Sequence, residues 1–331
     1  MNSFGRIFRV SLFGESHGEA VGVVIDGCPP GIPVSADDLI KDLSRRKSGR
    51  KGTTPRNEDD MPEILSGIYN GFTTGSPVTV ISRNRNIDPG AYDKFSNVPR
   101  PGHADFTSRL KYQGYSDPRG SGHFSGRITW GLVAAGAIAK KILKGTTFNA
   151  SLIEAGGSND IEKAVDEALK AGDSIGGIVE CVIQNPPGGA GEPFFYSVES
   201  AISQAVFSIP AIKAIEFGAG FRAASMRGSE HNDPFISTDG KTLTNNAGGI
   251  NGGITNGNPV VFRVAVKPTS SVGVEQTTLD FSTGKSVVLK AEGRHDACIA
   301  LRMPVIVEAA AAIALADLVL IDRGITGLSR S

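Results

Sequence analysis

The chain has 331 residues, and its 34 lysines and arginines are matched by 34 aspartates and glutamates, for a formal net charge of zero. At 40% hydrophobic and 21% charged residues, the composition is that of a folded globular protein and excludes a disordered chain. Zero net charge also excludes bulk electrostatic attraction to nucleic acid or an anionic membrane, leaving only local patches.

Strand-like runs at Arg6–Phe13 and Ala20–Ile25 flank the turn Gly14-Glu15-Ser16-His17-Gly18. Ser35-Ala36-Asp37-Asp38 has the form of a capping box, and Leu39, Ile40 and Leu43 follow on one helical face. That helix runs into a basic loop holding Arg45, Arg46, Lys47, Arg50, Lys51 and Arg56. Ile64–Ile68 and Val78–Ser82 read as strands, and Asn84–Gly126 as a long irregular stretch of the kind that is usually functional. Ile128–Leu143 reads as a buried helix, and Asp160–Gly172 as an amphipathic one, with Ile161, Val165 and Leu169 four apart. Ile178–Gln184 and Val260–Val266 read as strands, Ser197–Phe207 as helix and Ala214–Arg222 as extended chain. Pro304–Ile321 has nearly the length of a membrane span. Glu308 and Asp317 within it would each cost roughly 2.5–3.5 kcal/mol at a bilayer centre, so a helix buried in a protein core is expected. With strands in hairpin-like neighbours and helices grouped elsewhere, the pattern is α+β. One domain spanning residues 1–331 is expected, with weak duplication between two glycine-rich halves.

Cys28, Cys181 and Cys298 form no C-x-x-C motif or ligand cluster, which argues for buried free thiols in a reducing compartment and against structural zinc. The first sixteen residues carry Arg6 and Arg9 and lack the apolar stretch of a secretory leader, so a cytoplasmic location is expected. Glycine is the outlier: 42 residues stand where average usage gives about 23. No G-X-Y period runs through them, so particular loops must account for the surplus. All five histidines sit in such loops: His17 in GESHG, His103 in RPGHAD, His123 in GSGHFSGR, His231 in GSEHND and His295 in GRHDAC. Glycine lets backbone approach a ligand closely, and imidazole exchanges protons near neutral pH. The basic loop is open to three readings: a solvated helix end, a groove for a small polyanion, or a nucleic-acid contact. The last lacks interleaved aromatics. Gly120–Gly126 is one residue too long for a dinucleotide fingerprint and follows a polar segment, and Gly284-Lys285-Ser286 lacks the first glycine of a P-loop.

GESHG, RPGHAD at Arg100–Asp105, NNAGG at Asn245–Gly249, KPTSS at Lys267–Ser271 and GRHDAC at Gly293–Cys298 occur in one order. Together they resemble the chorismate synthase family, from Gly5 to about Asp322, with TTGSP at Thr73–Pro77 and VAAGAIAKK at Val133–Lys141 also matching. The resemblance implies antiparallel sheets sandwiching a helical core, and a homotetramer with the flavin near subunit contacts. It implies a carbon–oxygen lyase of the shikimate pathway, serving aromatic amino acid biosynthesis. That enzyme eliminates phosphate from 5-enolpyruvylshikimate 3-phosphate, using reduced FMN without net redox change. Of the catalytic roles it implies, His17 would protonate departing phosphate, His103 the reduced flavin, and Asp296 would help accept the C6 proton. Flavin contacts would come from His123, Phe124, Ser125, Arg127, Pro210, Ala211, Asn246, Ala247, Gly252, Lys267, Pro268, Thr269, Ser270, Ser271 and Arg294. Arg46, Arg56, Arg100 and either Arg50 or Lys51 would face the substrate, or NADP in relatives that reduce their own flavin. A separate flavin reductase is expected here; nucleic acid and membrane are not expected partners. His123-Phe124-Ser125-Gly126-Arg127 departs from the family's R-S-S-A-R, replacing a permanent cation with an imidazole.

Overall fold

The computed structural model describes residues 2–54, 59–85, 95–291 and 296–326. The chain builds two antiparallel sheets with a layer of helices between them. In the first half, β1 (Ser3–Phe4), β2 (Arg9–Gly14) and β3 (Ala20–Asp26) lead to helix α1 (Ala36–Arg46). The capping box forms: Ser35 Oγ accepts from the Asp38 N–H, and the Asp38 carboxylate accepts from the Ser35 N–H. Four short strands follow: β4 (Glu63–Ser66), β5 (Ile68–Tyr69), β6 (Phe72–Thr73) and β7 (Val78–Arg83). The sheet order is β1-β2-β3-β7-β4, and its buried face meets helix α3 (Thr129–Ile142), which follows the short α2 (Asp105–Tyr112).

The second half repeats this plan. It contains β8 (Thr147–Ala155), α4 (Ile161–Ala171), β9 (Gly177–Gln184), α5 (Val198–Phe207), β10 (Ile212–Phe217) and the one-turn α6 (Gly228–His231). Then come the hairpin β11 (Ile250–Asn251) and β12 (Ile254–Thr255), β13 (Val260–Val266), the hairpin β14 (Gln276–Leu279) and β15 (Ser286–Leu289), and α7 (Met303–Thr326). Its sheet runs β8-β9-β13-β10. Replacing β2, β3, β4, β7 and α3 by β8, β9, β10, β13 and α7 reproduces the first half's pairing and its final helix, with α4 as an insertion. The expected duplication is therefore topological.

Helices α3 and α7 are apolar nearly all round because each is covered by a sheet on one side and by its counterpart on the other. They cross closely: a Cβ on Gly136 would lie 2.3 Å from the Ala309 Cβ. Ile299–Ile325 could cross a membrane by length and composition, but 83% of its most apolar window is buried within the molecule. Its two carboxylates are both used. Glu308 binds Arg45 and Lys140, and Asp317 accepts from the backbone N–H groups of Arg6, Ile7 and Phe8.

Several readings of the sequence change. Ile64–Ile68 is not one strand but is divided between β4 and β5, which lie in different sheets, and the Arg6–Phe13 run becomes strand only from Arg9. The irregular stretch 84–126 contains α2 and a run of 3-10 turns from Arg119 to Phe124. Helix α2 buries none of its residues, so it leaves no apolar stripe to detect. Ala214–Arg222 is extended only to Phe217, after which the chain winds into a 3-10 segment at Gly220–Ser225.

Candidate active site

One large cavity, about 810 Å³, opens where the two halves meet. This is near the upper end of the roughly 300–1,000 Å³ of small-molecule sites. Its floor includes Leu132 of α3 and Ile313 of α7, and its walls are loops from both halves.

The first wall is the end of α1 and the start of α3. Arg46 and Arg127 are buried, with 2% and 7% exposure, and both grip the equally buried Asp60. Arg46 Nη2 donates to Asp60 Oδ2 at 2.9 Å, and Arg127 Nη1 donates to Asp60 Oδ1. Arg127 Nε also donates to Asn84 Oδ1 at 2.9 Å. Asp60 holds a left-handed backbone (φ +54°), and its carbonyl accepts from Trp130 Nε1. Burial pushes the Asp60 carboxyl up, but Arg46 and Arg127 outweigh it and hold it below the usual range. Burial likewise lowers the Arg46 guanidinium to about 10, which leaves it charged at neutral pH.

The second wall is the RPGHAD turn. Asp105 accepts from Arg100 Nε at 2.8 Å and Arg100 Nη2 at 2.7 Å, and lies 2.7 Å from His103 Nδ1. Burial raises its carboxyl; the bonds to Arg100 and His103 overcome this and hold it well below the carboxylate range. Arg100 Nη2, a donor only, also lies 3.1 Å from His103 Nδ1, but its two hydrogens serve Asp105 Oδ1 and Ser121 Oγ; Nδ1 therefore carries a proton toward the ionised Asp105, and Nε2 is the nitrogen left for chemistry. Arg100 Nη1 continues to Ser271 Oγ at 2.9 Å, tying this wall to the KPTSS loop of the second half.

Pro210, Ala211 and the five residues Lys267, Pro268, Thr269, Ser270 and Ser271 form the third wall. Lys267 N–H donates to the Ala211 carbonyl, and Ser270 Oγ donates to the Gly102 carbonyl at 2.8 Å. Burial and, less, the neighbouring Lys213 lower the Lys267 amine. His123, Phe124 and Ser125 complete the lining; His123 Nδ1 lies 2.8 Å from the Gly14 carbonyl, which makes it the donor there. Asp296 lines the cavity too, accepting from the Thr54 N–H at 2.9 Å beside Arg302.

His17 is buried behind this lining, with its neighbour Ser16 on the cavity surface. It packs against Gly120 (φ +58°), where a Cβ would come within 2.3 Å of His17 Cδ2. Only glycine permits both this backbone and this contact.

Not every expected residue gathers here. Lys47 and Ser48 still line the large cavity, but Arg50 lines a separate cavity of about 290 Å³ and Lys51 pairs with Asp166 at the surface. Asn246 and Ala247 sit on a loop held by Asp233, which accepts from both of their N–H groups, and Gly252 lies in the β11–β12 turn; none of the three lines the cavity. Arg56 and Arg294 lie outside the described residues. Sequence reasoning missed Asp60, Ser121 and Arg302. It also gave no role to Asp105, although RPGHAD places that residue two positions from His103.

Two buried polar atoms on the cavity residues, Arg46 Nε and Thr269 Oγ1, have no hydrogen-bond partner among the described residues. Buried donors are normally satisfied, so both fit a site completed by ligand oxygens. Arg46, Lys47, Arg100, Arg127, Arg302 and Lys267 of the lining stand against Asp60 and Asp296, with Asp105 behind Arg100, leaving positive charge in excess among these groups. Flavin mononucleotide fits this chemistry: a phosphate would find cations, hydroxyls and amides, and a ring system would find Pro210, Ala211 and Phe124.

A deep cationic cavity holding a carboxylate-fixed imidazole defines an enzyme that moves protons on a small polyanion. The family model for chorismate synthase matches residues 8–320. Chorismate synthase of Chitinophaga pinensis is 59% identical over 324 residues, covering 98% of each chain. That of Thermococcus kodakarensis is 46% identical over 353 aligned residues, covering 98% of this chain and 99% of the relative. A crystal structure of chorismate synthase superposes with a TM-score of 0.75 at 28% identity, covering 97% of this chain and 94% of that one. The chain belongs to the chorismate synthase family.

Proposed function

We propose that the chain converts 5-enolpyruvylshikimate 3-phosphate into chorismate and inorganic phosphate, and that its cofactor is reduced FMN. In this 1,4-elimination the C–O bond to phosphate breaks, the C6 hydrogen leaves as a proton, and the electron pair becomes a new ring double bond. Atoms balance without an oxidant. The observation that carries the reading is the convergence of the Arg46–Asp60–Arg127 wall and the Arg100–Asp105–His103 wall on one cavity.

Arg46, Arg100 and Arg127 would bind the substrate's phosphate and carboxylates, planar forks being suited to such anions. His17 would protonate the departing phosphate, which places the Ser16–Gly120 wall next to the leaving group. Asp296, pinned by the Thr54 N–H, would take part in removing the C6 proton. His103 would hold its proton at Nε2 for the reduced cofactor. His123–Ser125, Pro210-Ala211, Lys267–Ser271 and Arg294 would hold FMN, whose contribution when bound is transient electron donation. With an imidazole at position 123, the permanent cation that the family places there is lost, which would weaken the hold on flavin.

Asn246, Ala247 and Gly252 would contact flavin across a subunit boundary in a homotetramer. The adjacent Phe194 and Phe195, 87% and 88% exposed, support association, because large apolar surface left open marks a contact surface. Sedimentation at micromolar concentration should give a tetramer. We place the protein in the cytoplasm and expect a separate flavin reductase.

The test is an anaerobic assay with photoreduced FMN and substrate, following chorismate absorbance and phosphate release together. His17→Ala and His103→Ala should each lower turnover at least about tenfold to a hundredfold while the fold is kept. Wild-type protein that releases no chorismate refutes the reading. With NADPH and oxidised FMN alone, turnover should be absent.

A further inference from the structure

The arginines of the large cavity differ in how many of their N–H donors the protein already uses. Each terminal nitrogen of Arg46, Arg100 and Arg127 donates to a protein acceptor. Arg46 serves Asp60, Gly126 and Thr129, Arg100 serves Asp105, Ser121 and Ser271, and Arg127 serves Asp60 and Ser82. Arg302 is the exception. Its Nε donates to the Arg46 carbonyl at 3.0 Å, and neither Nη1 nor Nη2 has a hydrogen-bond partner among the described residues. Nη1 lies 3.6 Å from Asp296 Oδ2, near enough to feel its charge but beyond the roughly 2.7–3.2 Å of a hydrogen bond.

The Arg46 carbonyl belongs to the last turn of α1, where carbonyls have no partner within the helix, so Arg302 caps that end and is itself fixed by it. With the Nε edge fixed, the Nη1–Nη2 edge is what this cavity-lining side chain can offer a ligand. That edge matches the two oxygens of a carboxylate. Position narrows the choice of anion. In the proposed elimination phosphate leaves C3 and the proton leaves C6, on opposite sides of the ring. Asp296 is the group read as facing C6, so Arg302 beside it faces that side too. The atoms flanking C6 are C1, which bears the ring carboxylate, and C5, which bears the enolpyruvyl carboxylate. Either carboxylate would meet the like charge of Asp296 without a cation between them. We propose that Arg302 is a substrate-binding residue whose free fork grips a carboxylate flanking C6 and shields it from Asp296. The inference rests on the proposed reaction and on the place of Asp296 in it.

Binding can be followed by calorimetry on the full chain with oxidised FMN present, so that no turnover occurs. Arg302→Gln should raise the Kd for 5-enolpyruvylshikimate 3-phosphate at least about tenfold, as a lost charged hydrogen bond does, and leave the flavin Kd unchanged. Arg302→Lys keeps the charge but not the fork and should lose nearly as much. Full affinity in Arg302→Lys would mean that any cation or helix cap suffices, and overturns the proposal. So does an unchanged Kd in Arg302→Gln, or a loss confined to flavin. Ligand chemistry gives a check on the wild-type chain. Methylating the carboxylate that Arg302 holds should weaken binding at least about tenfold, and Arg302→Gln should then add no further loss. Additive losses with both monoesters overturn the proposal. Shikimate 3-phosphate, which lacks the enolpyruvyl group, tells the two carboxylates apart: Arg302→Gln weakens its binding only where the ring carboxylate is the partner. Wild-type protein that binds substrate but releases no chorismate with reduced FMN refutes the elimination and leaves the carboxylate contact standing. Wild-type protein that does not bind the substrate removes both.

Discussion

Asp60 and Glu308 are near-twins by composition of their surroundings: buried carboxylates, 2% and 1% exposed, each lying between two cations. They differ in what their partners have left to give. Glu308 Oε1 takes Arg45 Nη2 at 2.6 Å and the Ala150 N–H at 3.0 Å, and Oε2 takes Arg45 Nη1 at 2.7 Å and Lys140 Nζ at 2.8 Å. That cluster joins α1, α3, β8 and α7, and none of its residues lines the large cavity. Asp60 instead holds one nitrogen of each of two arginines that line the cavity, and Arg46 Nε has no partner among the described residues. A buried ion pair thus serves the scaffold or the ligand according to where the cation's remaining donors point.

Glu308→Ala should have the largest effect on stability. It leaves Lys140 and the part-exposed Arg45 with Asp42 as their remaining carboxylate, so the loss should approach but not exceed the roughly 3–5 kcal/mol of a broken buried pair. A urea midpoint will register this, while the folded fraction keeps its KM; a raised KM would blur the contrast with Asp60. Arg46→Ala should do the reverse, raising KM for 5-enolpyruvylshikimate 3-phosphate by about 10–100-fold, as expected for a lost charged hydrogen bond of roughly 1.5–3 kcal/mol. An unchanged KM would move Arg46 into the structural class.

Acid sharpens what the two sites share. Asp60, Asp105 and Glu308 all have carboxyls lowered in the folded state, where cationic partners overcome the upward push of burial. Stability from such groups is complete above their unfolded values of about 3.9–4.3 and is lost as pH falls through the lower folded ones. Tm measured by calorimetry should therefore lose this contribution only below about pH 4, and Asp60→Asn should make that fall shallower. The smallest effect belongs to Lys51→Ala. Its exposed pair with Asp166 should contribute about 0–1 kcal/mol, and KM should not change. A tenfold rise in KM would mean that Lys51 itself reaches the substrate.

Much of this was legible in the sequence because it depends on local pattern. The α1 capping box, the alternating burial of β13 and the largely apolar α3 and α7 follow from spacing alone. The motif resemblance marked His103, Arg100, Arg127 and the Lys267–Ser271 wall. Asp60 was not legible: it stands in an acidic run that reads as solvated loop, and only long-range folding onto Trp130 and two arginines buries it. Arg50 and Lys51 were equivalent to Arg46 by composition, and the end of α1 separates them. Ser121 carried no signal because its place in the lining depends on contacts with Arg100 and with a histidine eighteen residues earlier.

The crossing of Gly136 and Ala309 gives the molecule a mechanical gauge. Leu132 and Ile313, which floor the cavity, stand one turn along each helix from that contact. A single added methyl there would wedge the two halves apart directly beneath the ligand, so the clearance available to an aromatic ring and a sugar-sized acid is set by the absence of one carbon atom in the apolar interior.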